Sequence, residues 1–452
     1  MARSHLFASL SSATLVAATV LAATLSAAAA DMKPAVLAGH AVLPAKTAAT
    51  PPADAPDALK VSGKFTTRND PARITAAPAA DQPLPMDGQP VQGFSGIRAL
   101  GDGTYLVLTD NGFGAKANSE DAMLMVHVVK PDFGAGTVEI VKTTFLSDPD
   151  KKVPFAIAME GTAERYLTGA DFDLEGVQPV GDLLFIGEEF GPYVIAVERE
   201  TGKVVSVQET KVGDLLVQSP DHYRVSTPAA PDAKAPAFNL KRSKGYEGFA
   251  ASVDGTKLYP LLEGPLFVDG AYETVNGVEA LRIFEYDVAT RAFTGAWWHY
   301  PLEANGNAIG DFNMIDATRG MVIERDNGEG DVELACKDGA TEGCHKQPAL
   351  FKRVYMIDFS GVESGGAVKK VAGIDLMAID DPNGLARQGN RDDKTFRMPF
   401  VTIENVDKVD DTHIIVANDN NYPFSKGRSV SAEDDNEFVL LAVPEFLAAK
   451  AE

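Results

Sequence analysis

The chain has 452 residues, with 41 Lys and Arg against 64 Asp and Glu, a formal net charge of −23. That excess excludes partners recognised through clustered Lys and Arg, namely nucleic acids and anionic membrane surfaces, while permitting cations. With 45% hydrophobic and 23% charged residues, the chain is not a disordered polyanion and is long enough to bury a large core.

Residues 1–30 carry Arg3, then an Ala-, Leu- and Val-rich run from Leu6 to Leu25, then Ser26 and four alanines. Small residues at −3 and −1 of a cleavage after Ala30 predict a secretory signal peptide. A periplasmic or secreted protein follows, with no membrane attachment after cleavage. Residues 31–58 are rich in Ala, Pro and Thr and predict a flexible linker. Residues 59–452 are then expected to form a single domain and a monomer.

Within that domain, short apolar runs such as 105–109, 183–187, 193–197, 281–286 and 413–417 alternate with Gly, Asp, Asn and Pro. No segment keeps a helical period for three turns, apart from a terminal piece near Glu445–Ala449. The pattern predicts an all-β protein. Five segments share one plan: a leading small or acidic residue, a turn, an apolar strand, then an acid. They begin at Ser95-Gly96-Ile97, Glu175-Gly176-Val177, Glu247-Gly248-Phe249, Asp311-Phe312-Asn313 and Glu404-Asn405-Val406. The gaps from leading residue to trailing acid are 15 from Ser95 to Asp110, 14 from Glu175 to Glu189, 16 from Glu247 to Glu263 and 15 from Glu404 to Asp419. Each unit reads as a hairpin, often turned by Asp-Gly, with both marked residues at one end of neighbouring strands. Repeated hairpins with long insertions predict a β-propeller. Six blades are expected and five to seven are compatible, the sixth built from Leu59–Ile74, Val354–Leu376 and the C-terminal strand Glu437–Val443. A propeller would gather the acids at one central channel, where their oxygens suit a hard cation, Ca²⁺ above all.

The remaining motifs add less. Asp171-Phe172-Asp173-Leu174-Glu175 begins like a calcium loop, but Asp182 stands where an EF-hand ends in Glu. Lys241, Arg242 and Lys244 form a basic cluster beside Glu247, with Arg242 and Lys244 as candidate substrate contacts. Cys336 and Cys344 are the two cysteines and, in an oxidising compartment, predict a local disulfide. There is no Gly-x-Ser-x-Gly, His-Glu-x-x-His or Walker pattern.

The segments Gly245–Tyr259, Glu324-Arg325-Asp326, Val416–Tyr422 and Ser95–Asn111 resemble, in order, those of the phytase-like family described by "esterase-like activity of phytase". That family is related in pattern to the β-propeller phytases. The resemblance implies a calcium-dependent phosphoric ester hydrolase acting on a small phosphorylated substrate through bound metal. It would place metal at Asp110, Glu175, Glu189, Glu247, Glu263, Glu324, Asp326, Glu404 and Asp419, with Glu188 nearby. Glu247, Glu324 and Arg325 would be catalytic. Asn405 in place of Gly, and Asn313 at the fourth leading position, depart from the pattern. A carboxylic-ester or lactone hydrolase and a non-enzymatic binding propeller are the alternatives.

Overall fold

The computed structural model describes residues 30–66, 84–225 and 238–451. The proposed signal peptide therefore lies, but for Ala30, outside the described residues. Strand β1 (Val36–Leu43) follows a two-residue strand, Asp31–Met32. Four strands follow as β2 (Phe94–Ala99), β3 (Tyr105–Thr109), β4 (Met125–Asp132) and β5 (Thr137–Phe145). The second group is β6 (Leu174–Val180), β7 (Leu183–Glu188), β8 (Tyr193–Glu198) and β9 (Val204–Glu209). The third is β10 (Tyr246–Ala251), β11 (Lys257–Leu262), β12 (Val278–Asp287) and β13 (Ala292–Pro301). The fourth is β14 (Ala308–Met314), β15 (Arg319–Arg325), β16 (Lys352–Asp358) and β17 (Lys369–Asp375). The last is β18 (Ile403–Lys408), β19 (His413–Asn418) and β20 (Asn436–Ala442). Each group is an antiparallel meander, and β1 completes the last one by pairing antiparallel with β20.

The first hairpin turns are locally encoded. Asp102, Asp254, Asp316 and Asp410 each accept the backbone N–H two residues on, at 3.0, 3.0, 3.0 and 2.7 Å. An Asp side chain that mimics a turn carbonyl in this way fixes the reversal, so Asp-x-Thr recurs in four blades.

These five meanders form a propeller. Apolar side chains fill each interface between neighbours: Leu106 with Ile186, Phe185 with Phe249, Leu261 with Phe312, Ile323 with Ile414, and Ile415 with Val107. The fifth interface returns to the first blade, so the described residues close a ring of five. First strands approach closely at the axis. A Cβ on Gly176 would lie 2.4 Å from Phe249 Cβ, and one on Gly248 2.7 Å from Phe312 Cβ.

Two expectations are corrected. Of the segments assigned to a sixth blade, Val354–Leu376 runs through β16 and β17 and Glu437–Val443 through β20, while residues 67–74 of the third lie outside the described residues. The 31–58 segment is not a free linker, because it contains the buried strand β1. Its Ala-rich composition masked Val36, Leu37, Val42 and Leu43, which alternate enough to serve as an outer strand. His40 of β1 meets Glu437 of β20 at 3.0 Å, both fully buried, and Arg428 grips the same carboxylate at 2.8 and 2.6 Å. Both ends of the chain thus build the last blade, which removes an exposed sheet edge. The short helix Pro444–Ala448 follows. Among the described residues, no helix is long and apolar enough to cross a membrane.

Candidate metal centre

Strand register makes the five blades comparable position by position. Phe94 faces Thr109, Leu174 faces Glu188, Tyr246 faces Leu262, Ile309 faces Glu324 and Ile403 faces Asn418. Immediately after each of these residues the first strand carries one residue more than its partner. Such a β-bulge bends the strand and re-aims a side chain. The position following the paired residue is Ser95, Glu175, Glu247, Gly310 and Glu404. The residue that closes each second strand is Asp110, Glu189, Glu263, Arg325 and Asp419. Two stacked rings of side chains therefore surround the axis, one from each series.

The first ring supplies three carboxylates and the second four; Asp173 adds one more. Ligand oxygens of Asp173, Glu175 and Glu189 lie within 4.8 Å of one another, as do those of Glu175, Glu247 and Glu404, and those of Glu189, Glu247 and Glu263. Glu175 and Glu247 thus each belong to two trios. The six side chains of these trios are buried. Burial first, and then repulsion from neighbouring acids, pushes the carboxyls of Asp110, Glu175, Glu189, Glu247 and Asp419 well above their ordinary range. Burial also raises Asp173, to about 6.

Local partners hold the ring in place. Asn111 donates to Asp173 from its backbone N–H at 3.1 Å and its amide at 2.6 Å. Ser95 Oγ donates to Glu404 at 2.9 Å. Asp419 accepts the Asn421 N–H at 2.6 Å, and Asp110 the Gly112 N–H at 2.7 Å. Two cations enter: Lys244 pairs with Glu263, while Arg325 Nη2 stands 3.4 Å from Glu263 and 3.5 Å from Glu404. Eight carboxyl groups against two cations leave the site strongly under-neutralised. Glu247 Oε1 is buried with no hydrogen-bond partner among the described residues. An all-oxygen donor set with an orphaned buried oxygen fits a hard cation.

Below the rings the axis is sealed. Arg98 Nη1 donates to Asn313 at 2.6 Å and to Asp407 at 3.0 Å, and Gln178 reaches Asn313 at 2.8 Å. The Asn313 amide in turn donates to Val406 O at 2.8 Å and Ile97 O at 3.2 Å. Asp311 accepts N–H groups from β2 and β18, and burial raises its carboxyl to about 8. This hydrogen-bonded floor spans four blades and touches the carbonyl of Phe249 in the remaining one. The acids therefore line a well rather than a through-channel.

Several sequence-predicted site residues are not in the well. Glu324 neighbours Arg325 on one strand, so the two-residue period turns it to the opposite face. There it is fully buried and bonded to Tyr300 OH at 2.9 Å, Lys370 Nζ at 2.6 Å, Glu303 N at 2.7 Å and Asn307 Nδ2 at 2.8 Å. Asp326 faces away likewise and clamps a loop through Lys352 at 3.0 Å and the N–H groups of Leu350 and Phe351 at 2.9 and 3.0 Å. Glu188 is consumed by the N–H groups of Phe190 and Gly191, both at 2.8 Å. Arg242 is half exposed and pairs with Asp221. The fourth leading position is Gly310, not Asn313, which belongs to the floor. Asp173 was missed as a ligand candidate, although it stands two residues before Glu175 in the segment read only as the start of a calcium loop. Cys336 and Cys344 are disulfide-bonded, with Cα atoms 4.9 Å apart in the loop between β15 and β16.

Residues 89–422 match the family model described as "Phytase-like: Esterase-like activity of phytase". The chain belongs to this family. Both rings and the floor of this phytase-like propeller lie within the matched residues. No curated protein matches the sequence. Similar solved structures include a luciferin-regenerating enzyme, at 10% identity and TM-score 0.32, with 80% of this chain and 94% of that one covered. The Dos1 propeller follows at 8% and 0.30, covering 79% and 69%. The Cps50 (Swd1) β-propeller domain of Myceliophteria thermophila stands at 9% and 0.31, covering 78% and 96%. At such scores these likenesses add nothing to the fold read from the sheets themselves.

Proposed function

We propose that this phytase-like propeller is an exported, Ca²⁺-dependent hydrolase of phosphate esters. The observation that carries the reading is the convergence of three overlapping carboxylate trios at the bottom of a buried well. Asp173, Glu175, Glu189, Glu247, Glu263 and Glu404 would hold the cation, and the irregular, carboxylate-rich donor set favours calcium over the strictly octahedral magnesium. A bound cation would polarise a phosphoryl oxygen and lower the pKa of a water. Glu247 has one unpaired oxygen, which is the group with capacity left to accept a proton from water. Lys244, part-exposed beside Glu263, is the cation placed to meet an anionic ester as it enters. Residues 1–30 and the Cys336–Cys344 disulfide support export to an oxidising compartment.

The test is turnover of p-nitrophenyl phosphate, its diester and p-nitrophenyl acetate by the mature protein, with calcium and with chelator. Calcium-dependent release from a phosphate ester is expected. Release from the acetate alone would replace the reading with carboxylic-ester hydrolysis, and no release from any ester would leave a binding propeller.

A further inference from the structure

Four blades place an acid at the end of the second strand, and the fourth places Arg325 there. Gly310 to Arg325 spans 15 positions, the same interval that separates Ser95 from Asp110 and Glu404 from Asp419. The fourth blade offers a carboxylate in neither ring, so it forms a positive sector in an otherwise acidic wall. Arg325 is 94% buried, being 6% exposed, yet poorly satisfied. Its Nη2 contacts to Glu263 and Glu404 are long, at 3.4 and 3.5 Å, Nη1 reaches Asn327 at 3.2 Å, and Nε has no partner among the described residues. The structural arginine Arg428 is different, gripping Glu437 with two bonds of 2.8 and 2.6 Å. Arg325 therefore retains donor capacity beside the carboxylate trios, on a forked group that suits a phosphate.

Its two partners are also members of the carboxylate trios. Glu404 belongs with Glu175 and Glu247, and Glu263 with Glu189 and Glu247. A cation in either trio competes with the guanidinium for the same oxygens. We infer that Arg325 is the anion-binding corner of the well, released by cation binding to take the dianionic group of a phosphate monoester. This rests on the cation-dependent reading above. Linkage makes the effect reciprocal: the cation strengthens anion binding by the same factor by which the anion strengthens cation binding.

Calorimetry on the full mature chain tests this, with calcium and inorganic phosphate as probes. Phosphate should bind the calcium-loaded wild type and show no heat with the chelator-treated protein. Arg325→Gln should bind calcium about five- to tenfold more tightly, because a competing charge is gone, and bind phosphate at least about tenfold more weakly. Arg325→Lys keeps the charge but loses the fork, so calcium affinity should stay near wild type while phosphate weakens. If the glutamine variant fails to fold, the lysine variant decides alone. Phosphate affinity unchanged in the variants, calcium affinity weakened in the glutamine variant, or phosphate binding independent of calcium would each overturn the inference. Should the wild type still turn over a phosphate ester with calcium in those cases, the inference fails alone. A wild type that neither binds calcium nor turns over ester would sink both.

Discussion

Glu247→Gln tests the repulsive ring most directly. Glu247 shares trios with Glu175, Glu404, Glu189 and Glu263, all with ligand oxygens within 4.8 Å. Two ionised carboxylates at that distance repel by about 3.5 kcal/mol at an effective dielectric constant near 20. Gln has the shape of protonated Glu and carries no charge. At pH 8 without metal, the variant should gain about 3 kcal/mol. For a chain of this length, with unfolding entropy of about 2 cal/mol/K per residue, that is a rise of about 3 °C in melting temperature. At pH 5 the gain should be smaller, because burial and the neighbouring acids favour the protonated form of Glu247. Calcium should raise the melting temperature of the wild type far more than that of the variant. Differential scanning calorimetry at both pH values, with calcium and with chelator, measures all of this. A variant less stable at pH 8 without metal, with the wild-type response to calcium, would refute the placement of the ring.

Three further outcomes follow from the same geometry. In metal-free protein, the raised carboxyls of Asp110, Asp173, Glu175, Glu189, Glu247 and Asp419 keep protons that the unfolded chain releases above about pH 4. The folded state then binds more protons than the unfolded, so stability must fall as pH rises from about 4 toward the Asp173 value near 6. Glu437, held down to about 2, is ionised in both states over that range and does not oppose the trend. A chelator-treated protein that melts higher at pH 8 than at pH 5 would contradict this. Glu324→Gln should cost about 3 kcal/mol in denaturant unfolding, by stranding buried Lys370. Because it lies outside the well, calcium affinity by calorimetry should not move, and a clear loss would return Glu324 to the site. Asn313→Ala should destabilise by about 3 kcal/mol, since Arg98, Gln178 and two backbone carbonyls lose a partner at once. Unchanged denaturation would mean the floor contributes no structure.

Much of this architecture was legible in the residues. The Asp-Gly turns and the near-constant interval between paired acids mark the hairpins, because both are local consequences of a short strand and a tight reversal. Glu175, Glu189, Glu247, Glu263, Glu404 and Asp419 were found this way. The fourth blade escaped because its two ring positions are Gly310 and Arg325, so a search for acids slid onto Glu324 and Asp326. Strand alternation, invisible in a count of acids, then sends both of those away from the axis. The floor was not legible at all. Arg98, Gln178, Asn313 and Asp407 lie in four different blades and meet only because the ring closes. Strand β1 was hidden by alanine and proline around it, and its partner is almost the whole chain away.

That last separation has a consequence for how the protein is made. Ala45 N donates to Asp435 Oδ1 at 2.8 Å across 390 positions. Bringing such distant segments together costs about 5 kcal/mol of chain entropy before any contact repays it, and pairings of that kind are the slow ones in folding. Strand β1 meets β5 at one position, Val42 beside Thr137, but its main antiparallel ladder must wait for β20, nearly the last strand. Glu404 joins the carboxylate trios from the same late-arriving blade. The trio of Glu175, Glu247 and Glu404 is therefore complete only once that last blade is in place.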